Sequence, residues 1–207
     1  MIGIIDYGMG NLGSVENACR FLELDARIIT APEELSACSK VILPGVGAFG
    51  DCMAHLADHG FIEAIRNWVA EDRPFLGICL GLQVLFEESE ESPGVEGLGI
   101  LKGRVIRFQI DPQFKVPQIG WNSVKKQKTD CPLFKDIDDG SYFYLVHSFY
   151  VDPKEPEVVA GTTGYGLEYT TAVWRGNLFG TQFHPEKSHK VGLQMLRNFG
   201  APGERAS

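Results

Sequence analysis

Three residue types in this chain could together attack an amide: Cys79, His184 and Glu186. Cys79 lies in Pro74-Phe75-Leu76-Gly77-Ile78-Cys79-Leu80-Gly81-Leu82-Gln83, a short apolar strand running through G-x-C-x-G toward a helix expected over Leu82 to Phe86. Such a strand-turn-helix holds its nucleophile on a sharp turn, and small residues two before and two after it relieve the crowding, here Gly77 and Gly81. The backbone N–H groups and positive dipole end at the start of a helix favour the thiolate as the reactive form. A packed cysteine in a glycine-rich loop would give the same pattern, so the reading depends on a base.

Gly180-Thr181-Gln182-Phe183-His184-Pro185-Glu186-Lys187-Ser188 offers one at the end of an apolar strand, where active-site groups of α/β sheets gather. In extended chain, residues i and i+2 project to the same side, and Pro185 biases His184 toward extended geometry. Glu186 can then hold the far ring nitrogen, setting the tautomer without taking the proton. His55 and His59 lie in a helical stretch without a matching acid and His189 opens the last helix, so these three read as surface residues. His147 ends another apolar strand, where it reads first as a buried, hydrogen-bonded side chain and second as a lining of the site.

Acyl transfer also needs donors aimed at the oxygen that becomes negative. Leu43-Pro44-Gly45-Val46-Gly47-Ala48-Phe49-Gly50 follows an apolar strand, and the amides around Val46 and of Leu80 are the expected oxyanion hole. Taken alone, the segment is equally an ordinary strand-to-helix turn.

The elements that must position these groups follow from periodicity. Short β-branched runs at Met1 to Ile5, Arg27 to Ile29, Lys40 to Leu43 and Pro74 to Cys79 alternate with amphipathic stretches, the pattern of βαβ units. Val15, Ala18, Cys19 and Leu22 share one helix face, as do Phe61, Ala64, Ile65 and Trp68. Runs at Gly103 to Phe108, Tyr142 to Val146, Thr171 to Trp174 and Leu178 to Phe183 read as antiparallel additions. A last helix begins with Ser188 as N-cap, turns Val191, Met195 and Phe199 inward and stops at Gly200. The expected fold is α/β, a mainly parallel sheet flanked by helices with antiparallel strands added in the C-terminal half. One domain over residues 1–202 and a frayed tail over 203–207 are expected.

A net charge of -8 argues against nucleic acid, which needs a basic face. No apolar run approaches the roughly 20 residues that span a bilayer, so a cytoplasmic protein without membrane contact is expected. The five cysteines are odd in number and lack CxxC spacing, which argues against a disulfide framework or a zinc knuckle. Neither metal nor cofactor is expected.

With these segments in hand, the chain resembles the class I, triad-type glutamine amidotransferases over nearly its whole length. Gly77-Ile78-Cys79-Leu80-Gly81-Leu82-Gln83 and His184-Pro185-Glu186 are shared widely in that family. Ile5-Asp6-Tyr7-Gly8-Met9-Gly10-Asn11-Leu12, Pro44-Gly45-Val46-Gly47-Ala48-Phe49-Gly50 and Gly180 to Ser188 narrow the likeness to members that serve a cyclase subunit in histidine biosynthesis. The resemblance implies a flavodoxin-like fold, glutamine as substrate, and a heterodimer whose (β/α)₈-barrel cyclase receives ammonia through a protected channel. It further implies that Gly47 and Gln83 contact glutamine, that Tyr7, Gly8, Met9, Gly10, Asn11 and Lys187 lie near the cyclase, and that a cyclase ligand activates hydrolysis. Leu82 stands where methionine is common, a swap that conserves volume. Three rivals stay open: a glutaminase for another synthase, such as anthranilate or pyridoxal phosphate synthase; a free-standing cysteine hydrolase or peptidase; and a non-catalytic subunit that has kept the fold.

Overall fold

Alternation of side chains across a pleated strand requires a β-branched run buried on both faces to be covered twice, and the first half of the chain is built that way. The computed structural model describes residues 1–201. Strands β1 (Ile2–Ile5), β2 (Ala26–Ile29), β3 (Lys40–Gly45) and β4 (Phe75–Cys79) alternate with helices α1 (Leu12–Phe21), α2 (Phe49–Asp58) and α3 (Phe61–Ala70). β1 pairs in parallel with both β2 and β3, and β3 in parallel with β4. Val41 and Leu43 of β3 face the core under α2 and α3, while Ile42 faces the core under α1 and the last helix, α5 (His189–Gly200). Each fully buried Leu, Ile or Phe contributes roughly 1.5–3 kcal/mol.

After β4 comes a single helical turn, α4 (Leu80–Gln83). The helix expected over Leu82 to Phe86 is therefore shifted and shorter. The carbonyls of Val84, Leu85, Phe86 and Glu87 accept hydrogen bonds from the amides of Leu98, Ile100, Gly99 and Gly97, which removes them from any helical ladder.

The C-terminal half supplies β5 (Glu88–Ser89), β6 (Gly103–Arg107), β7 (Gln118–Lys126), β8 (Ser141–His147), β9 (Phe149–Pro153), β10 (Val159–Gly164), β11 (Glu168–Arg175) and β12 (Leu178–Thr181). The main sheet runs β2-β1-β3-β4-β12-β11-β10-β7-β8. β11 pairs antiparallel with β10 and β12, and β7 pairs antiparallel with β8 and β10, as expected of the second half. β12 differs, because its other edge pairs in parallel with β4, Thr181 opposite Ile78. Residues 178–181 thus belong as much to the parallel half as to the antiparallel one.

The sequence signals missed β5, β7, β9 and β10. Residues 159–164 are Val-Ala-Gly-Thr-Thr-Gly, without an apolar run, and β9 begins only one residue after β8 ends. Ser188 precedes α5 as expected but makes no side-chain cap; its hydroxyl donates to the His184 carbonyl at 2.6 Å. Among the described residues no helix is long and apolar enough to cross a membrane. The segment 203–207 lies outside the described residues.

β3, β4 and α4 pack so closely that a Cβ on Gly81 would sit 2.0 Å from the Leu43 carbonyl oxygen, and one on Gly77 2.4 Å from the Gly81 carbonyl oxygen. Gly81→Ala should therefore cost about 1–3 kcal/mol or more through backbone displacement, read as a lowered urea midpoint beside an unchanged or raised midpoint for Gly13→Ala, which lies in α1 where a Cβ meets nothing within 4 Å.

Candidate active site

Parallel neighbours end at the same edge of a sheet, so the pairing of β4 with β12 brings the residues after each strand together. Cys79 ends β4 with φ +56° and ψ -109°, a conformation that a non-glycine residue adopts only when its surroundings enforce it. His184 follows β12 in extended geometry, φ -99° and ψ 97°. Its Nδ1 lies 2.8 Å from Glu186 Oε1, with both side chains almost fully buried. The carboxylate can only accept, which places the proton on Nδ1 and leaves Nε2 as the nitrogen available to act as a base.

The backbone of the base is held as firmly as its ring. The His184 amide donates to the Tyr144 carbonyl at 2.9 Å, the Tyr144 amide donates to Ser188 Oγ at 3.0 Å, and that hydroxyl returns to the His184 carbonyl. Burial pushes the His184 imidazolium down, but Cys79 and Glu186 beside it outweigh that and carry it up to about 10. Nε2 closes no hydrogen bond of ordinary geometry among the described residues, nor does Glu186 Oε2. Cys79 lines the same cleft and is the largest influence raising the histidine. A sulfur and an imidazole so placed can exchange one proton and hold a thiolate–imidazolium pair.

A cleft of about 280 Å³ opens over this group. Cys79, His184, Val46, Gly47, Leu80 and Gln83 all line it, so the structure brings together the nucleophile, base, oxyanion and substrate residues read from sequence. Gly47 has φ +98°, and a Cβ there would meet Met9 Cε at 2.7 Å, which leaves glycine as the residue that fits.

His147 also lines the cleft, with its Nδ1 2.8 Å from the Phe149 carbonyl and its Nε2 3.1 Å from Tyr169 Oη. Burial lowers it to about 4, so it is a neutral, hydrogen-bonded wall. Glu91 and Pro117 line the cleft without having been singled out; they sit in segments with no periodic signal, and Glu91 is placed by accepting the Phe49 amide at the start of α2 at 2.8 Å.

Tyr7 is fully buried, and its hydroxyl donates to the Pro44 carbonyl at 3.0 Å, bracing from within the segment that leads to Val46 and Gly47. One reading, that of His55 as a surface residue, is corrected. His55 is half-buried, its Nδ1 3.1 Å from the Tyr7 carbonyl, whereas His59 and His189 are exposed. Gly8 is exposed, and Met9, Gly10, Asn11 and Lys187 are half-buried.

Fold and site together define a cysteine-nucleophile hydrolase on an open α/β sheet. Residues 3–201 match the family described as glutamine amidotransferase class-I, and the chain belongs to that family. It is 51% identical over 205 residues to the imidazole glycerol phosphate synthase subunit HisH of Syntrophotalea carbinolica, covering 97% of this chain and 99% of that one. It is 54% identical over 200 residues to the subunit of the same name in Methanocaldococcus jannaschii, covering 96% and 98%. The solved structure of PurLQS from Thermotoga maritima shares the fold with a TM-score of 0.76 at 19% identity, covering 96% of each chain.

Because the folded His184 titrates above its usual 6.5, the native state carries the extra proton between the two values, and the stability this confers is full below about 6.5 and lost as pH rises through about 10. Glu186→Gln removes part of that support. The gap in melting temperature between the two proteins should be widest near pH 6–7 and close toward pH 10; a gap that widens with pH would contradict the pairing.

Proposed function

We propose that this chain is the glutaminase subunit of imidazole glycerol phosphate synthase, a cytoplasmic enzyme of histidine biosynthesis that releases ammonia from glutamine for a cyclase subunit. The observation that carries the reading is the buried His184–Glu186 pair set beside a strained Cys79 in a single cleft, on a chain half-identical along its length to subunits of that name.

Cys79 gives its proton to His184 Nε2, and the thiolate attacks the side-chain carboxamide carbon of glutamine. The amides near Val46 and Leu80 hold the negative oxygen. His184 then protonates the departing nitrogen as the C–N bond breaks, leaving ammonia and a γ-glutamyl thioester on Cys79. Water adds to the thioester with His184 as base, which releases glutamate and restores the thiol. Gln83 and Gly47 orient the substrate. A single domain spanning residues 1–202 is sufficient for this chemistry.

A partner surface adjoins the cleft. On the outer side of the β7–β8 pair, Ile119 faces Val146 and Trp121 faces Tyr144, with Tyr142 opposite Ser123. Ile119, Trp121 and Tyr142 are 63%, 45% and 60% exposed, an apolar and aromatic strip that a monomer would rarely leave in water. Val146 and the neighbouring Pro117 line the cleft itself, so the strip runs to its mouth. Lys187 stands over the Tyr144 ring at 6.0 Å, and His189 stacks on Trp121 at 4.9 Å. A barrel-shaped cyclase seated there, touching the loop of Gly8 to Asn11 and Lys187, would close the cleft and receive the ammonia.

Glutamate release should be slow for the protein alone and rise strongly with the cyclase subunit and a cyclase ligand together. Cys79→Ala should abolish it without unfolding the protein, while Glu186→Ala should leave a residue of activity, as loss of an orienting group usually does. Full activity without a partner would favour a self-sufficient hydrolase, and no response to this cyclase would favour another synthase. Trp121→Ala should weaken association with the cyclase by about 2 kcal/mol, as expected of a buried aromatic anchor, measured by titration calorimetry.

A further inference from the structure

A fully buried glutamine reaches the nucleophile. Gln182, in the strand-end segment between Thr181 and His184, places its Nε2 3.7 Å from Cys79 Sγ, and its Oε1 accepts from Gln83 Nε2 at 3.0 Å. The same Gln83 nitrogen donates to the Phe149 carbonyl, also at 3.0 Å.

The direction of this chain is set at its far end. A backbone carbonyl can only accept, so Gln83 must turn its NH₂ toward Phe149, and that nitrogen's second hydrogen goes to Gln182. Gln182 must then offer its oxygen to Gln83, which leaves its NH₂ facing the sulfur. The geometry assigns to Gln182 the task of holding the Cys79 sulfur in its ionised, attacking form through an N–H donated from a side chain with no solvent contact. Three acceptors in series leave the donor no alternative orientation.

A donor to an ionised group is worth more than one to a neutral group, so the contact favours the thiolate over the thiol. The role adds to the reading of Cys79 as nucleophile and rests on it. It also complements His184, which takes the proton that this contact helps to release.

The test is alkylation of Cys79 by iodoacetamide across a pH series, followed by peptide mass so that the other four cysteines are counted separately. In Gln182→Met the rate at pH 7 should fall roughly ten-fold and the whole pH profile should move to more alkaline values. Circular dichroism and melting establish which variants fold. Gln182→Glu keeps the shape and the oxygen that Gln83 needs but turns a carboxylate toward the sulfur, and should displace the profile further. In glutamine hydrolysis the loss should fall on kcat, with KM little changed. A folded variant of either kind with the unaltered alkylation profile would overturn the inference. Alkylation needs neither glutamine nor a partner, so this failure is distinct from failure of the glutaminase reading, which would appear as glutamate release persisting in Cys79→Ala.

Discussion

Everything in the site depends on one pair of parallel strands. The ladder between β4 and β12 sets Phe75 against Leu178 and Ile78 against Thr181, so both strands end at the same edge of the sheet. From there Cys79 and His184 emerge side by side although more than a hundred positions separate them in the chain. A slip of one residue in that register would turn the shifted strand's side chains to the opposite face and part Cys79 from His184. The small side of this interface is as important as the apolar one. A Cβ on Gly180 would meet Leu82 Cδ1 at 2.5 Å, so any larger residue there would make the Leu82 side chain move beside the elbow.

Strain at Cys79 is sustained by close packing. The residue's left-handed backbone is unfavourable for any side chain, and it persists because Gly45, Gly77 and Gly81 let three backbone segments touch around it. The elbow helix is a single turn, so its dipole is short; the sulfur is served mainly by specific neighbours. Those neighbours come from different elements: the imidazole of His184 and the side-chain amide of Gln182, both just after β12, and the segment 44–47 at the end of β3, braced from behind by the Tyr7 hydroxyl. Loosening any one displaces a group set around the Cys79 sulfur.

Much of this could be read in the sequence because the relevant signals are local. G-x-C-x-G requires close backbone approach, and His-Pro-Glu fixes an i, i+2 relation, so the tight elbow at Cys79 and the pairing of His184 with Glu186 followed from spacing. The parallel half of the sheet followed from β-branched runs at βαβ intervals. What escaped the sequence depends on contacts far along the chain. β10 has almost no apolar residues and becomes a strand only because β7 and β11 flank it. The expected helix to Phe86 fails because amides at 97–101 take its carbonyls. The burial of Tyr7 could not be read from its glycine-rich segment, because it depends on the Pro44 carbonyl that accepts its hydroxyl proton. Gln182 offered no signal at all, since an amide in an apolar strand resembles any other polar interruption.

The central claim is that Cys79 is the atom that bonds to the glutamine carboxamide carbon. A glutamine analogue with a chloroketone in place of the carboxamide tests it directly, because attack leaves a permanent label. The account predicts one label per chain, on the peptide that carries Cys79, blocked by excess glutamine. Labelling on Cys19, Cys38, Cys52 or Cys131, or inactivation with Cys79 unmodified, would contradict it.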